Sequence, residues 1–172
     1  MFDVTEEYSV GDLTDVKEER QLVPVTKKVK VRVSKAGIQE NKDKDLKGLK
    51  LEVRIVDGIE TTDKESGETK MAFVNKPLFT GIMDLCFYAD LETRFSDWFK
   101  KKQHLVGFKQ FCEAIGADLK AVVINDEFFS NLIGKEVLVD IQHEEETALD
   151  ESGNRQKLGT FRERLRNWKK VV

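Results

Sequence analysis

Between Val25 and Ser34 the chain alternates. Val25, Lys27, Val29, Val31 and Val33 fall on one parity, and Thr26, Lys28, Lys30, Arg32 and Ser34 on the other. A strand repeats its side-chain direction every two residues. This spacing therefore sends three of these valines into a core and Lys28, Lys30 and Arg32 out together. β-branched residues suit the pleated, half-buried surface this requires. An outward cationic row either keeps a sheet edge soluble and unpaired or holds anions, and these residues alone favour the first role.

The alternation returns at Leu49, Leu51, Val53 and Ile55, with Lys50, Glu52 and Arg54 opposite and Asp57-Gly58 behind it as a hairpin signal. Between the two strands, residues 39–45 read as an exposed polar loop, and residues 59–70 as a polar excursion bending at Ser66-Gly67. Met71 to Tyr88 is the most apolar region, broken at Lys76-Pro77 and Gly81. Proline cannot donate to a central ladder, so this region predicts a strand, a bend and a further strand or strand extension. Residues 90–103 form a polar-aromatic connector, partly helical. Phe108, Phe111, Cys112 and Ile115 then stand at i, i+3, i+4 and i+7 before Gly116, which predicts a helix with one buried face.

A short helical turn over Glu127 to Leu132 follows, then a strand with Val137, Val139 and Ile141 inward. Glu144 to Gly159 is polar, contains Ser152-Gly153-Asn154 and reads as a long hairpin loop. The closing segment, residues 160–172, is ambiguous by period. Phe161, Leu165, Trp168 and Val172 form a helical stripe, whereas a strand puts Arg162, Arg164, Arg166 and Trp168 on one face. Pairing with residues 137–143 across a loop favours the strand.

Strand, strand, long loop, one or two strands, helix, strand, strand is the ground plan of a five-stranded OB-fold-like barrel. The class is mainly β with one or two helices, a helix between strands 3 and 4, and long loops. An α+β open sheet with a packed helix is the alternative, and a single helix speaks against a sandwich. The barrel domain is read as residues 23–172, preceded by an acidic arm over residues 1–22.

The length of 172 residues suffices for one domain with a real core. A composition of 40% hydrophobic and 35% charged residues describes a soluble globular protein, and no apolar run is long enough to span a membrane. Met1–Glu7 lacks the basic start and apolar centre of a secretory signal, so a cytoplasmic location is expected. Cys86 and Cys112 lie among apolar residues and suit reduced thiols. The net charge of -3 hides an asymmetry. Asp3, Glu6, Glu7, Asp12, Asp15, Glu18 and Glu19 face Lys17 and Arg20 within the arm, which leaves the rest of the chain slightly basic. Such an arm either competes with a polyanion for the basic surface or is a solvated tail.

Signals for catalysis are weak. His104 and His143 are far apart, and neither stands near a cysteine at metal-ligand spacing. No Gly-rich phosphate loop or Gly-x-Ser-x-Gly occurs. Asp57, Asp84 and Asp140 read as strand and turn caps rather than a nuclease centre, and His143-Glu144-Glu145-Glu146 lacks a second histidine. The expectation is a protein that is not an enzyme and that uses no cofactor and no metal.

Five blocks carry a family resemblance: Val31–Gly37, Leu51–Gly58, Phe108–Gly116, Leu132–Glu145 and Arg164–Lys169. Together they resemble phage-encoded single-stranded-DNA-binding proteins of OB fold. The resemblance implies a protein that coats single-stranded DNA during phage replication or recombination, in the host cytoplasm, with little sequence preference. Its partners would be single-stranded DNA and replication or recombination proteins, and its state a monomer or homodimer. Family members often end in an acidic tail, whereas this chain closes on Lys169-Lys170-Val171-Val172, so that feature is not carried over.

Holding single strands without reading sequence takes cations along a groove and rings on which bases stack, each stacked base contributing roughly 1–3 kcal/mol. The candidate cations are Lys28, Lys30, Arg32, Lys35, Arg54, Lys76, Lys100, Lys101, Arg162, Arg164 and Arg166. Among the aromatics Phe79, Phe87, Tyr88, Phe95, Trp98, Phe99 and Trp168, the candidate stackers are Trp98 and Trp168, each beside lysines. Phe108, Phe111, Phe128 and Phe129 are assigned to the core. A second reading keeps the fold but makes it a protein-interaction module of a phage replication or virion assembly, with the basic face meeting an acidic partner.

Overall fold

The valine alternation builds the central strand β1 (Thr26–Glu40), in which Val29, Val31 and Val33 are buried. The structure is a computed structural model and describes residues 9–14 and 21–172. Most of the expected acidic arm lies outside the described residues. β1 continues through Ala36 and Gly37, which pair with Leu51 and Lys50 of β2 (Leu46–Ile55). The expected polar loop therefore shrinks to the few residues between Glu40 and Leu46.

Asp57-Gly58 turns the chain out of this sheet instead of back along β2. Gly58 has φ 82°, and a Cβ there would meet the Ala72 carbonyl oxygen at 2.7 Å. The polar excursion that follows is a two-stranded ribbon, β3 (Ile59–Thr62) paired with β4 (Thr69–Ala72). Asp63 Oδ1 accepts the N–H groups of Glu65 and Ser66 at its bend. β5 (Pro77–Phe79) and β6 (Cys86–Ala89) then pair with opposite ends of β2, the expected strand, bend and strand. β5 is an edge, where the missing proline N–H costs no ladder bond.

The connector forms one helical turn, α1 (Asp97–Lys100), and a 3-10 turn at Gln103–Leu105. α2 (Val106–Ile115) buries Phe111, Cys112 and Ala114 and stops at Gly116, whose φ of 76° gives the left-handed cap expected of it. α3 (Asp126–Leu132) starts where the Asn125 side chain accepts the Phe128 N–H. Phe111 is fully buried, while Phe108, Phe128 and Phe129 pack on the core from its rim.

β7 (Glu136–Leu149) buries Val137, Val139 and Ile141, and β8 (Arg155–Lys170) runs back along it. The stretch read as a long loop is thus two strands and a turn at residues 150–154. Diagonal cross-strand contacts hold this polar ribbon: Lys157 Nζ lies 3.8 Å from the Glu145 carboxylate, and Arg155 donates to Thr147 Oγ1 at 3.0 Å.

Residues 160–170 are strand, and a bulge explains their helix-like spacing. Asn167 sits at φ 57°, and the register jumps between Asp140–Arg166 and Leu138–Lys169. Leu165 and Trp168, three apart, therefore both turn inward, and Trp168 meets Phe111 edge-on with ring centroids 5.2 Å apart. A second bulge breaks β1 between Thr26 and Val29, where Lys28 has φ 55°.

The sheet order is β5–β2–β1–β7–β8, with β6 also on β2 and every pairing antiparallel. The sheet curls into an OB-like half-barrel, with the helices inserted between its third and fourth principal strands. Arg164 of β8 and Asp84, between β5 and β6, form an ion pair at 2.5 Å that joins the two ends of the sheet.

Candidate nucleic-acid interface

Register decides which expected residues share a face. Arg32 stands directly opposite Arg54, and Arg54 opposite Pro77, while on the neighbouring rung Glu52 opposes Phe79. Opposed residues point to the same side of a sheet. Val31, Val33, Val53 and Ile55 fill the core side, so Arg32, Arg54 and Phe79 look outward with Lys30 two positions before Arg32.

The cations here have partial counterions. Lys30 Nζ lies 3.4 Å from Asp57, Arg32 Nη2 3.6 Å from Glu136, and Arg54 Nη2 3.7 Å from Glu52. Arg54 also donates to the Asn75 carbonyl at 3.1 Å, which fixes its head toward the β3–β4 ribbon. Ser34, at a register shift in β1, donates to Glu52 Oε2 at 2.5 Å. That bond holds the Glu52 carboxyl below its ordinary value against the opposing effect of burial, with help from the charges of Lys35 and Arg54. A groove of ≈ 330 Å³ opens among Arg32, Ser34, Arg54, Val74 and Asn75. Phe79, opposite Glu52, is 54% exposed.

The remaining candidates are scattered. Lys28 is exposed but lies in the bulge, where its N–H donates to Asp140 Oδ1, so the row of Lys28, Lys30 and Arg32 is interrupted. Lys35 is exposed opposite Glu52, and Lys76 is half-buried just before β5. Trp98, Lys100 and Lys101 sit on and after α1, which packs against the 3-10 turn. Trp98 is 46% exposed and meets Phe99 edge-on. Arg162 is bound to Glu144 at 2.9 Å, and Arg166 is exposed opposite Asp140.

Two candidates are not surface groups. Trp168 is 2% exposed against Phe111, so it presents no face to a base. Arg164 is 6% exposed and bonded to Asp84 and Glu144. The bulge at Asn167 is what turns Trp168 inward, and the strand period of two does not show it.

Phe79 on β5 and Tyr88 on β6 are exposed rings of the sheet, as is Phe161 on β8. Tyr88 stands opposite Lys47, whose Nζ is 5.3 Å from its ring centre. Sequence reasoning placed Phe79 and Tyr88 among the aromatics of the apolar region without ranking them first, and it offered no signal for Ser34, Val74 or Asn75. Burial raises both thiols, Cys112 to about 11, so neither is a nucleophile at neutral pH. No protein-family model matches the chain, and no curated protein matches it.

Proposed function

We propose that this chain binds single-stranded DNA with little sequence preference on the outward face of β1, β2 and β5, in phage DNA replication or recombination. The observation that carries the reading is the directly opposed pair Arg32–Arg54, next to the exposed ring of Phe79. Like charges opposed across a ladder destabilise it, and the nearest carboxylates stand beyond hydrogen-bond length from both guanidiniums. A phosphate held between the two guanidiniums would relieve that repulsion, and Phe79 on β5 offers a stacking surface. The phage setting rests on the sequence resemblance.

A second reading, an interaction module for an acidic protein, draws on the carboxylates already beside Lys30 and Arg32. Anisotropy of labelled oligo-dT across a salt series separates the two. Strand binding gives a log–log slope near -0.7 per neutralised phosphate, and R32A/R54A flattens it by roughly 0.7 for each phosphate no longer neutralised. No affinity at low salt would sink the strand reading, and an unchanged slope in the double variant would move the site elsewhere.

A further inference from the structure

Away from the β1–β2 face, a cleft of ≈ 150 Å³ opens between β8 and the segment from α1 to α2. Its lining includes two side chains with unusual shortfalls. His104 is 6% exposed and Trp168 2% exposed, and neither His104 Nδ1 nor Trp168 Nε1 has a hydrogen-bond partner among the described residues. A buried polar nitrogen without a partner costs about 1–3 kcal/mol. Two such nitrogens in the walls of one cleft mark a place built for something more than packing.

The other walls indicate the class of guest. Trp98 and Val106 supply flat and apolar surface, while Gln103, Gln110 and Arg166 supply amide and guanidinium groups. The Arg166 side chain makes neither a hydrogen bond nor an ion pair among the described residues, unlike Arg162 and Arg164. Burial lowers the His104 pKa, so at neutral pH the imidazole is uncharged and carries one donor and one acceptor. The volume is well under the roughly 300–1,000 Å³ of pockets that enclose drug-sized ligands. A planar heterocycle with donors and acceptors on its edge matches the flat, amide and guanidinium groups of these walls better than an aliphatic chain does.

We propose that this cleft accepts a single nucleobase, edge-on to Trp168 and Gln110 and covered by Trp98. The strand-binding reading supplies the source of the base, but the chemistry of the cleft stands apart from it.

Deoxynucleosides test the cleft without engaging a phosphate track. The full chain, isotope-labelled for its two indole N–H signals, is titrated with each of the four deoxynucleosides. The expected result is a saturable shift of the Trp168 indole signal with at least one base, weakened roughly fivefold in Gln110→Ala by loss of one hydrogen bond. Trp98→Ala, on an exposed side chain, weakens it further without disturbing the core. A Trp168 signal that stays fixed with all four nucleosides overturns the proposal and leaves a cleft that holds water only.

Homo-oligonucleotides then identify the source. If the base comes from a bound strand, Gln110→Ala weakens the preferred homopolymer and leaves its salt slope unchanged. If oligonucleotides do not bind but nucleosides do, the cleft stands as a nucleoside site and the strand-binding reading fails.

Discussion

Asp140 accepts the Lys28 N–H through Oδ1 and the Asn167 side-chain amide through Oδ2, both at 2.9 Å. Lys28 and Asn167 are left-handed residues, each at a bulge, one in β1 and one in β8, so one carboxylate on β7 holds an irregularity in each neighbouring strand. Burial raises the Asp140 pKa, but the bonds from Asn167 and Lys28 outweigh it, aided by the charges of Lys169 and Lys27, and the carboxyl sits below its ordinary value. The unfolded chain therefore takes up this proton first as pH falls. The stabilisation is complete above the ordinary carboxylate range and is lost as pH drops through the lowered folded value. Asp140→Ala should cost about 1 kcal/mol at pH 7 and less at pH 3, read from urea midpoints. At Asn167, glycine should be near neutral, whereas valine should cost roughly 1–3 kcal/mol, because a β-branched residue resists positive φ. Equal stabilities for the glycine and valine variants would remove the bulge from this account.

Among the elements, those with one buried face were legible and those with two polar faces were not. Val29, Val31 and Val33, like Val137, Val139 and Ile141, announce themselves because a period of two separates core from solvent. The outer part of β7 and β8 has no core to face, so Glu144 to Gly159 reads as loop although it is paired strand. Its cohesion comes from cross-strand partners, which sequence spacing does not display until the register is known. The register also decided the candidate site: it brought Arg32, Arg54 and Phe79 together and left Trp98, Lys100 and Lys101 on a separate element. Because Leu149 and Leu158 are exposed, the tip adds little to the core. Replacing residues 148–156 by Asn-Gly should shift the thermal midpoint by only a few degrees, since shortening a connection changes closure entropy slowly. A collapse of the cooperative transition would show that the ribbon belongs to the folding unit.

Across the whole molecule, the half-barrel is closed by side chains. β8 and β5 end the sheet, and Arg164 of β8 reaches Asp84 in the bend beyond β5, whose other oxygen accepts the Gly81 N–H at 2.7 Å. Glu144 on β7 completes the arrangement by accepting from Arg164 and Arg162. The Arg164–Asp84 pair is buried, so removing one partner strands a charge in a site with little water. Arg164→Met should therefore cost roughly 3–5 kcal/mol. Adding Asp84→Asn removes the stranded charge and retains an oxygen for Gly81, so the double variant should be more stable than Arg164→Met alone. Acid should weaken the clasp as well. Burial raises the Glu144 pKa, but its arginine bonds outweigh this and hold it below the ordinary value, so its contribution persists at neutral pH and fades as pH falls through that lowered value. Since the clasp lies apart from Arg32 and Arg54, the folded double variant should keep the parent's salt slope on oligo-dT. A loss of that slope with stability preserved would make Arg164 a contact of the strand itself, and a cost below about 1 kcal/mol for Arg164→Met would show that the sheet closes without it.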